Sequence, residues 1–278
     1  DHAAAEWLQS SGGGHADAIG YWRGKLAGVP VTTLPSQRAR PEVLAFEGAN
    51  LTVTLEPALW AGVQRLARLL AVTPFVVVLT GFFALMQRYL ASNDLCLGTM
   101  DAGRDEPGLE GVAGPFAKPI ALRVEFADEL SFAAQLARAQ STLIEAWLHR
   151  DAPFDQIVNS VRPAYRANLN PLFQIMLVMQ NLRGADAAFD DIGLTPVAVD
   201  TAVAEFDLML EMFEAGGGLT LRASFNANLY QAGEIALFLR RYQRLLWCAV
   251  DDPQQTTGDM DFMSDETGGG QKGGALWL

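Results

Sequence analysis

Hydrophobic and polar positions change period several times along this chain, and each change marks an element. In "NLTVTLE" (50–56) apolar and polar residues alternate, as in a strand with one face toward a core. Helical spacing follows twice, over roughly 57–71 and 74–90, with Thr73 placed as an N-cap and Pro74 in the first helical position. "DLCLGTM" (94–100) and "PIALRVEF" (119–126) read as strands. Ser131 can cap a helix that puts Phe132, Leu136, Leu143 and Trp147 on one face. "LFQIMLVMQN" (172–181) is almost uninterrupted in apolar residues, the pattern of a central strand covered on both faces. "FDLMLEMFEAGGGLTLRASFNANL" (206–229) reads as two strands joined at a glycine turn. A last helix, about 231–250, aligns Ile235, Phe238, Leu239, Tyr242, Leu245 and Leu246 in one stripe.

These elements predict an α/β chain of the α+β two-layer kind, a mixed sheet packed by helices. Their order is not a regular βαβ array, which argues against a doubly wound nucleotide fold. The stretch "SSGGGHAD" suggests a flexible lead-in over 1–20, and "TGGGQKGGALWL" a Gly-rich linker or tail within 253–278. Residues 21–252 are then one compact unit. Its length is enough to bury a full core.

One segment resembles a membrane span. "LLAVTPFVVVLTGFFALM" (69–86) has eighteen residues without a charge, the lower edge of a spanning length. Thr73 and Pro74 divide it, and Gln87 and Arg88 end the second piece, so a helix buried in a protein core is the expectation. Charge narrows the partners. With 20 Lys and Arg against 32 Asp and Glu, the net charge is −12, which argues against a nucleic-acid surface and its clustered cations. Cys96 and Cys248 lie far apart within apolar stretches, as small buried hydrophobes of a reducing compartment do. No signal-like leader is visible, so a cytoplasmic location is expected.

Motifs of reaction chemistry are few. The run Gly216-Gly217-Gly218 lies in the hairpin and no Lys-Ser or Lys-Thr follows it, so it is no phosphate loop. His2, His15 and His149 do not have metal-ligand spacing, and no metal site is expected. No Gly-x-Ser-x-Gly elbow occurs. The stretch "HRDAPFDQIV" (149–158) allows two readings. His149 could be a base oriented by Asp151. Alternatively, His149 ends one helix, where a cation suits the partial negative charge, and Asp151 caps the next, with Pro153 in its first turn.

Five stretches in order carry a family resemblance: "YWRGKLAGVP" (21–30), "LGTMDAGRDEPGLEGVAGPF" (97–116), "HRDAPFDQIV", "NPLFQIMLVMQN" (170–181) and "EFDLML" (205–210). Together they resemble the C-terminal half of the condensation domains of nonribosomal peptide synthetases, over about Trp7 to Pro253. The resemblance implies a chloramphenicol acetyltransferase-like lobe that closes a tunnel. Carrier proteins insert phosphopantetheine arms into that tunnel from opposite faces, and an amide bond forms inside. The family's catalytic His-His-x-x-x-Asp-Gly motif is absent from these 278 residues, in which no two histidines are adjacent. The implied catalytic set on this chain is therefore empty, no cofactor is bound by the chain itself, and the N-terminal lobe and carrier proteins are the implied partners. A membrane is not among them.

Residue by residue, Gly98, Thr99, Gly103 and Arg104 match the family's Gly-Thr-x-x-x-Gly-Arg, which approaches the tunnel. Gly114 and Phe116 match Gly-x-Phe-Val-Asn-Thr, but Ala117, Lys118 and Pro119 replace its last three residues. A lysine there adds a charge that burial makes costly unless it is paired or solvated. His149, Asp151, Pro153 and Phe154 match His-Gln-Asp-x-Pro-Phe, with Arg150 in place of Gln. In the family that histidine is structural. Asn170, Pro171 and Leu172 match the end of Arg-Asp-x-Ser-Arg-Asn-Pro-Leu, whose earlier part is altered: Tyr165, Arg166 and Leu169 stand where Arg, Asp and Arg are usual. Phe206, Asp207 and Leu208 match, preceded by Glu205. The implied substrate-facing set is thus Gly98, Thr99, Gly103, Arg104, Gly114, Phe116, Lys118 and Asp207. A docking module for carrier or tailoring proteins, or an ester-forming or epimerising relative, are the alternatives.

Overall fold

In the computed structural model, which describes residues 15–104, 108–109, 112–180, 202–215 and 217–262, the chain runs α1 (Ala16–Lys25), β1 (Gly48–Thr54), α2 (Pro57–Leu69), α3 (Pro74–Leu90), β2 (Asp94–Asp101), β3 (Lys118–Glu125), α4 (Phe132–Leu148), α5 (Phe154–Val161), β4 (Ile175–Gln180), β5 (Leu208–Ala215), β6 (Gly218–Asn226) and α6 (Ala232–Asp251). The six strands form one sheet in the order β1-β6-β5-β4-β2-β3. It is mixed: β4 runs parallel to both β2 and β5, and the other pairings are antiparallel. The near-continuous apolar run thus became a central strand, as its pattern predicts.

One face of the sheet is the core. Leu208, Leu210 and Met212 of β5 and Leu219, Leu221, Ala223 and Phe225 of β6 are all buried there. Helices α2, α3 and α6 pack against one another and against β6, β2 and β1 respectively, while α4 packs on α3 and β3. All six stripe residues of α6 are buried. Each contributes roughly 1.5–3 kcal/mol relative to exposure. The capping box of Gln231 and Glu234 at its start adds about 1 kcal/mol, so packing, not capping, decides where α6 sits. On the opposite face, α5 packs on β3 and α1 packs on α5.

The charge-free stretch breaks where Thr73 and Pro74 predict. The Thr73 hydroxyl accepts from the Val76 amide, Pro74 opens α3, and α2 and α3 meet at a 107° bend. Residues 76–87 are all buried inside the protein. Among the described residues no single helix is long and apolar enough to cross a membrane.

Three expectations need correction. Ser131 does cap α4, its hydroxyl accepting from the Ala134 amide, but the buried stripe is Phe132, Gln135, Leu136, Ala139, Thr142 and Ala146. At 3.6 residues per turn, Trp147 drifts to the edge of that stripe and is 41% exposed. Helical structure already begins at Ala16, ahead of the boundary at 21, because Ala18 and Ile19 of this first turn pack against the core. Beyond 252 the chain returns to the body: Ala133 donates to the Pro253 carbonyl, and Met260 and Phe262 are buried. Residues 1–14 and 263–278 lie outside the described residues.

Candidate functional site

Strand β2 delivers Asp101, a buried carboxylate, to the start of the loop leading to β3. The Gly103 amide donates to Asp101 Oδ1 (3.2 Å), and Arg150 Nε lies 3.7 Å from Asp101 Oδ2. Gly103 has φ +63°, and a Cβ there would overlap the Phe116 carbonyl, so both conformation and contact require glycine. Arg104 gathers the rest of the loop. Its guanidinium donates to the carbonyls of Leu109 (2.7 Å), Val112 (2.7 Å) and Gly114 (3.4 Å), and lies 4.4 Å over the Phe116 ring. Lys118 then opens β3 in register with Asp101.

Four of the residues singled out from the sequence, Gly103, Arg104, Gly114 and Phe116, are therefore one assembly, with Lys118 beside it. Asp101 ties this loop to Arg150 of the "HRDAPF" stretch. Motif matching passes over Asp101. The signal was available: a lone carboxylate ending the apolar run of β2 is buried only when paired.

Gly98 and Thr99 serve the sheet. A Cβ on Gly98 would overlap the Phe173 ring. That ring stacks on Phe206 and meets Phe154 edge-on, each at 5.8 Å between centroids. Three separate motifs thus converge on one aromatic row, each pair worth ~0.5–1.5 kcal/mol beyond burial. The Thr99 hydroxyl is buried and donates to the Leu177 carbonyl (2.8 Å), joining β2 to β4.

Asp207 is sealed. It is 2% exposed, and Arg40 binds both carboxylate oxygens while also donating to the Asn168 carbonyl (3.2 Å). Beside it, Asn170 donates its amide to Gln174 Oε1 (2.8 Å) and its side chain to the Glu205 carbonyl (3.0 Å), and Pro171 leads into β4. This knot lies at the N-terminal ends of β4 and β5, whereas Asp101 leaves the C-terminal end of the parallel β2. Asp207 is not brought to the Arg104 loop. Its visible task is to hold Arg40.

His149 closes α4. Its Nδ1 is 2.8 Å from the Glu145 carbonyl, its own carbonyl accepts from Trp22 Nε1 (2.8 Å), and its ring stacks on Tyr21. The helix-terminus reading of His149 matches this geometry. The capping role read for Asp151 does not. The N-cap of α5 is Pro153, without a side-chain cap, and Asp151 is exposed in the turn before it. Burial pushes the Cys96 thiol up to about 12, so it is no nucleophile. Among the described residues no group of His, Cys, Asp and Glu could hold a metal.

A six-stranded mixed sheet with this loop and these motifs defines a class, and comparison with known proteins names it. The sequence matches the Condensation domain family over residues 3–268, and the chain belongs to that family. A probable non-canonical nonribosomal peptide synthetase, CymA, of Salinispora arenicola is 34% identical over 257 residues, covering 89% of this chain and 3% of that protein. A linear gramicidin synthase of Brevibacillus parabrevis is 30% identical over 263 residues, covering 94% of this chain and 5% of that protein. The chain therefore spans a small part of these relatives. Among solved structures, a four-domain nonribosomal peptide synthetase bound to AMP and glycine superposes with a TM-score of 0.85 at 25% identity, covering 90% of this chain and 20% of that one. The X-domain from teicoplanin biosynthesis, in complex with OxyB, superposes with a TM-score of 0.78 at 26% identity, covering 90% and 56%.

Proposed function

We propose that this chain is the C-terminal lobe of a condensation domain in a cytoplasmic nonribosomal peptide synthetase, forming tunnel wall and carrier-protein contacts. In this reading, partner carriers bring their substrates on phosphopantetheine thiols. The acceptor amine attacks the carbonyl of the donor thioester. A C–N bond forms, the C–S bond breaks, and the carrier thiol leaves with the proton. The N-terminal lobe supplies the His-His-x-x-x-Asp-Gly motif, and this chain contributes orientation of the two arms. The loop clamped by Arg104, with Gly103, Gly114, Phe116 and Lys118, is the part assigned to the tunnel.

The observation that carries this reading is a pairing of family membership with chemistry. The condensation family match covers nearly all of the chain, yet the chain contains no adjacent histidines and its one histidine within the described motifs is engaged in packing. Mixing the chain with a separately produced N-terminal lobe tests it. A 1:1 complex in sedimentation supports a two-lobe domain; two independent species count against it.

A second reading, a docking platform without catalysis, is favoured by the X-domain relative solved in complex with OxyB. In that case the chain retains carrier or tailoring-protein binding and never forms product, whichever lobe is added. Ester formation or epimerisation on the same fold is the third reading, separated by product identity.

A further inference from the structure

The segment 26–31 and the segment 158–174 enclose a cavity of about 940 Å³. Asp101, Arg104, Phe116 and Lys118 do not line it. Its size falls within the range of small-molecule sites, roughly 300–1,000 Å³. The walls are largely apolar: Val29, Pro30, Val31, Val158, Val161 and Leu169 contribute to them. Two cations, Arg162 and Arg166, join this lining, and no Asp or Glu does, although the chain as a whole carries a net charge of −12. Neither guanidinium is engaged by a partner among the described residues. Tyr165, 91% exposed, and Val31, 51% exposed, also belong to the lining.

This lining is held in place before any ligand arrives. The Leu169 amide donates to the Arg166 carbonyl (3.2 Å), Leu44 to the Ala167 carbonyl (3.0 Å), and Asn168 Nδ2 to the Pro41 carbonyl (2.8 Å). Arg162 ends α5 with φ +50°, its amide donating to the Val158 carbonyl (2.9 Å). Tyr165, Arg166 and Leu169, close neighbours of Arg162 in sequence, all fall on this cavity.

We infer that this cavity binds an amphipathic carboxylate, an apolar chain with one anionic end. The valine and leucine side chains cover the apolar part, and Arg162 and Arg166 take the carboxylate, which suits the planar donor fork of arginine. None of the tunnel residues takes part, so the site stands independently of the two-lobe reading.

The test is titration of the ¹⁵N-labelled full chain with octanoate, with 1-octanol and acetate as the uncharged and chain-free controls. Octanoate should give saturable shifts confined to 26–31 and 158–174. The Arg162→Ala/Arg166→Ala variant should weaken it about 10-fold or more, and Arg166→Asp at least as much, with unchanged melting curves showing that both fold. Octanol binding as tightly as octanoate would overturn the anion role. Shifts that spread without saturating, or equal octanoate affinity in the double variant, would overturn the site.

Discussion

The rings of Tyr21 and His149 lie parallel, 5° apart in plane and 3.8 Å between centroids. The first belongs to α1 and the second to the end of α4, so the stack joins the first described helix to the "HRDAPF" corner. The Tyr21 hydroxyl donates to Glu145 (3.4 Å), and burial together with that carboxylate raises its pKa. His149→Ala should cost ~0.5–1.5 kcal/mol, the worth of an aromatic pair, in urea unfolding. Amide formation in a reconstituted domain should be unaffected once folding is allowed for. A large loss of turnover in a fully folded variant would reopen His149 as a base.

Arg40 and Asp207 form a two-point ion pair in the described core, with side-chain exposures of 23% and 3%. Removing Arg40 strands a buried carboxylate. Arg40→Ala should therefore destabilise by roughly 3–5 kcal/mol, and Arg40→Met with Asp207→Leu should recover most of it. Urea denaturation of the two variants checks this. Equal losses in both would mean that the charges themselves, not an uncompensated partner, matter.

Arg104 holds three carbonyls at once, so its loss should loosen one loop more than the whole fold. Arg104→Ala should raise hydrogen exchange at Val112 and Phe116 while the unfolding midpoint shifts by about 1 kcal/mol or less. Arg104→Lys should rescue only partly, since an ammonium lacks the planar fork. Unchanged exchange in Arg104→Ala would show that backbone contacts alone set the loop.

Alkaline pH should weaken the fold. Burial moves the Cys96 thiol from 9.0 to about 12, and it raises the Tyr242 hydroxyl well above 10.0. The folded chain keeps protons that the unfolded chain gives up. This contribution is thus complete below about pH 9 and is lost as pH rises toward 12. Urea midpoints between pH 8 and about pH 10.5 should fall, and Cys96→Ala should flatten the fall at its lower end. Alkylation should leave Cys96 unmodified until denaturant is added.

Most of the architecture was legible in the sequence because each element had a local cause. Thr73-Pro74 and Ser131 marked helix starts, and the unbroken apolar run marked the central strand. The site was legible only in pieces. Gly103 and Arg104 were marked by their motif, but Asp101, Arg150 and Arg40 matter through partners far away in the chain, and spacing does not report such partners. Thr99 and Asp207 look substrate-facing in a motif, but Thr99 is tied to the Leu177 carbonyl and Asp207, just ahead of β5, is held by Arg40. Asp151 misled for a simpler reason: proline at the N-cap already sets the extended backbone that precedes a helix.

The most direct measurement of the central claim is dipeptidyl-carrier formation, followed by intact-protein mass spectrometry, with donor and acceptor aminoacyl-carriers supplied. Product should form when the His-His-x-x-x-Asp-Gly lobe is added in trans, and should be absent with this chain alone or with that lobe alone. Product from this chain alone would contradict the account, because it would place a catalytic base among residues whose visible task is packing.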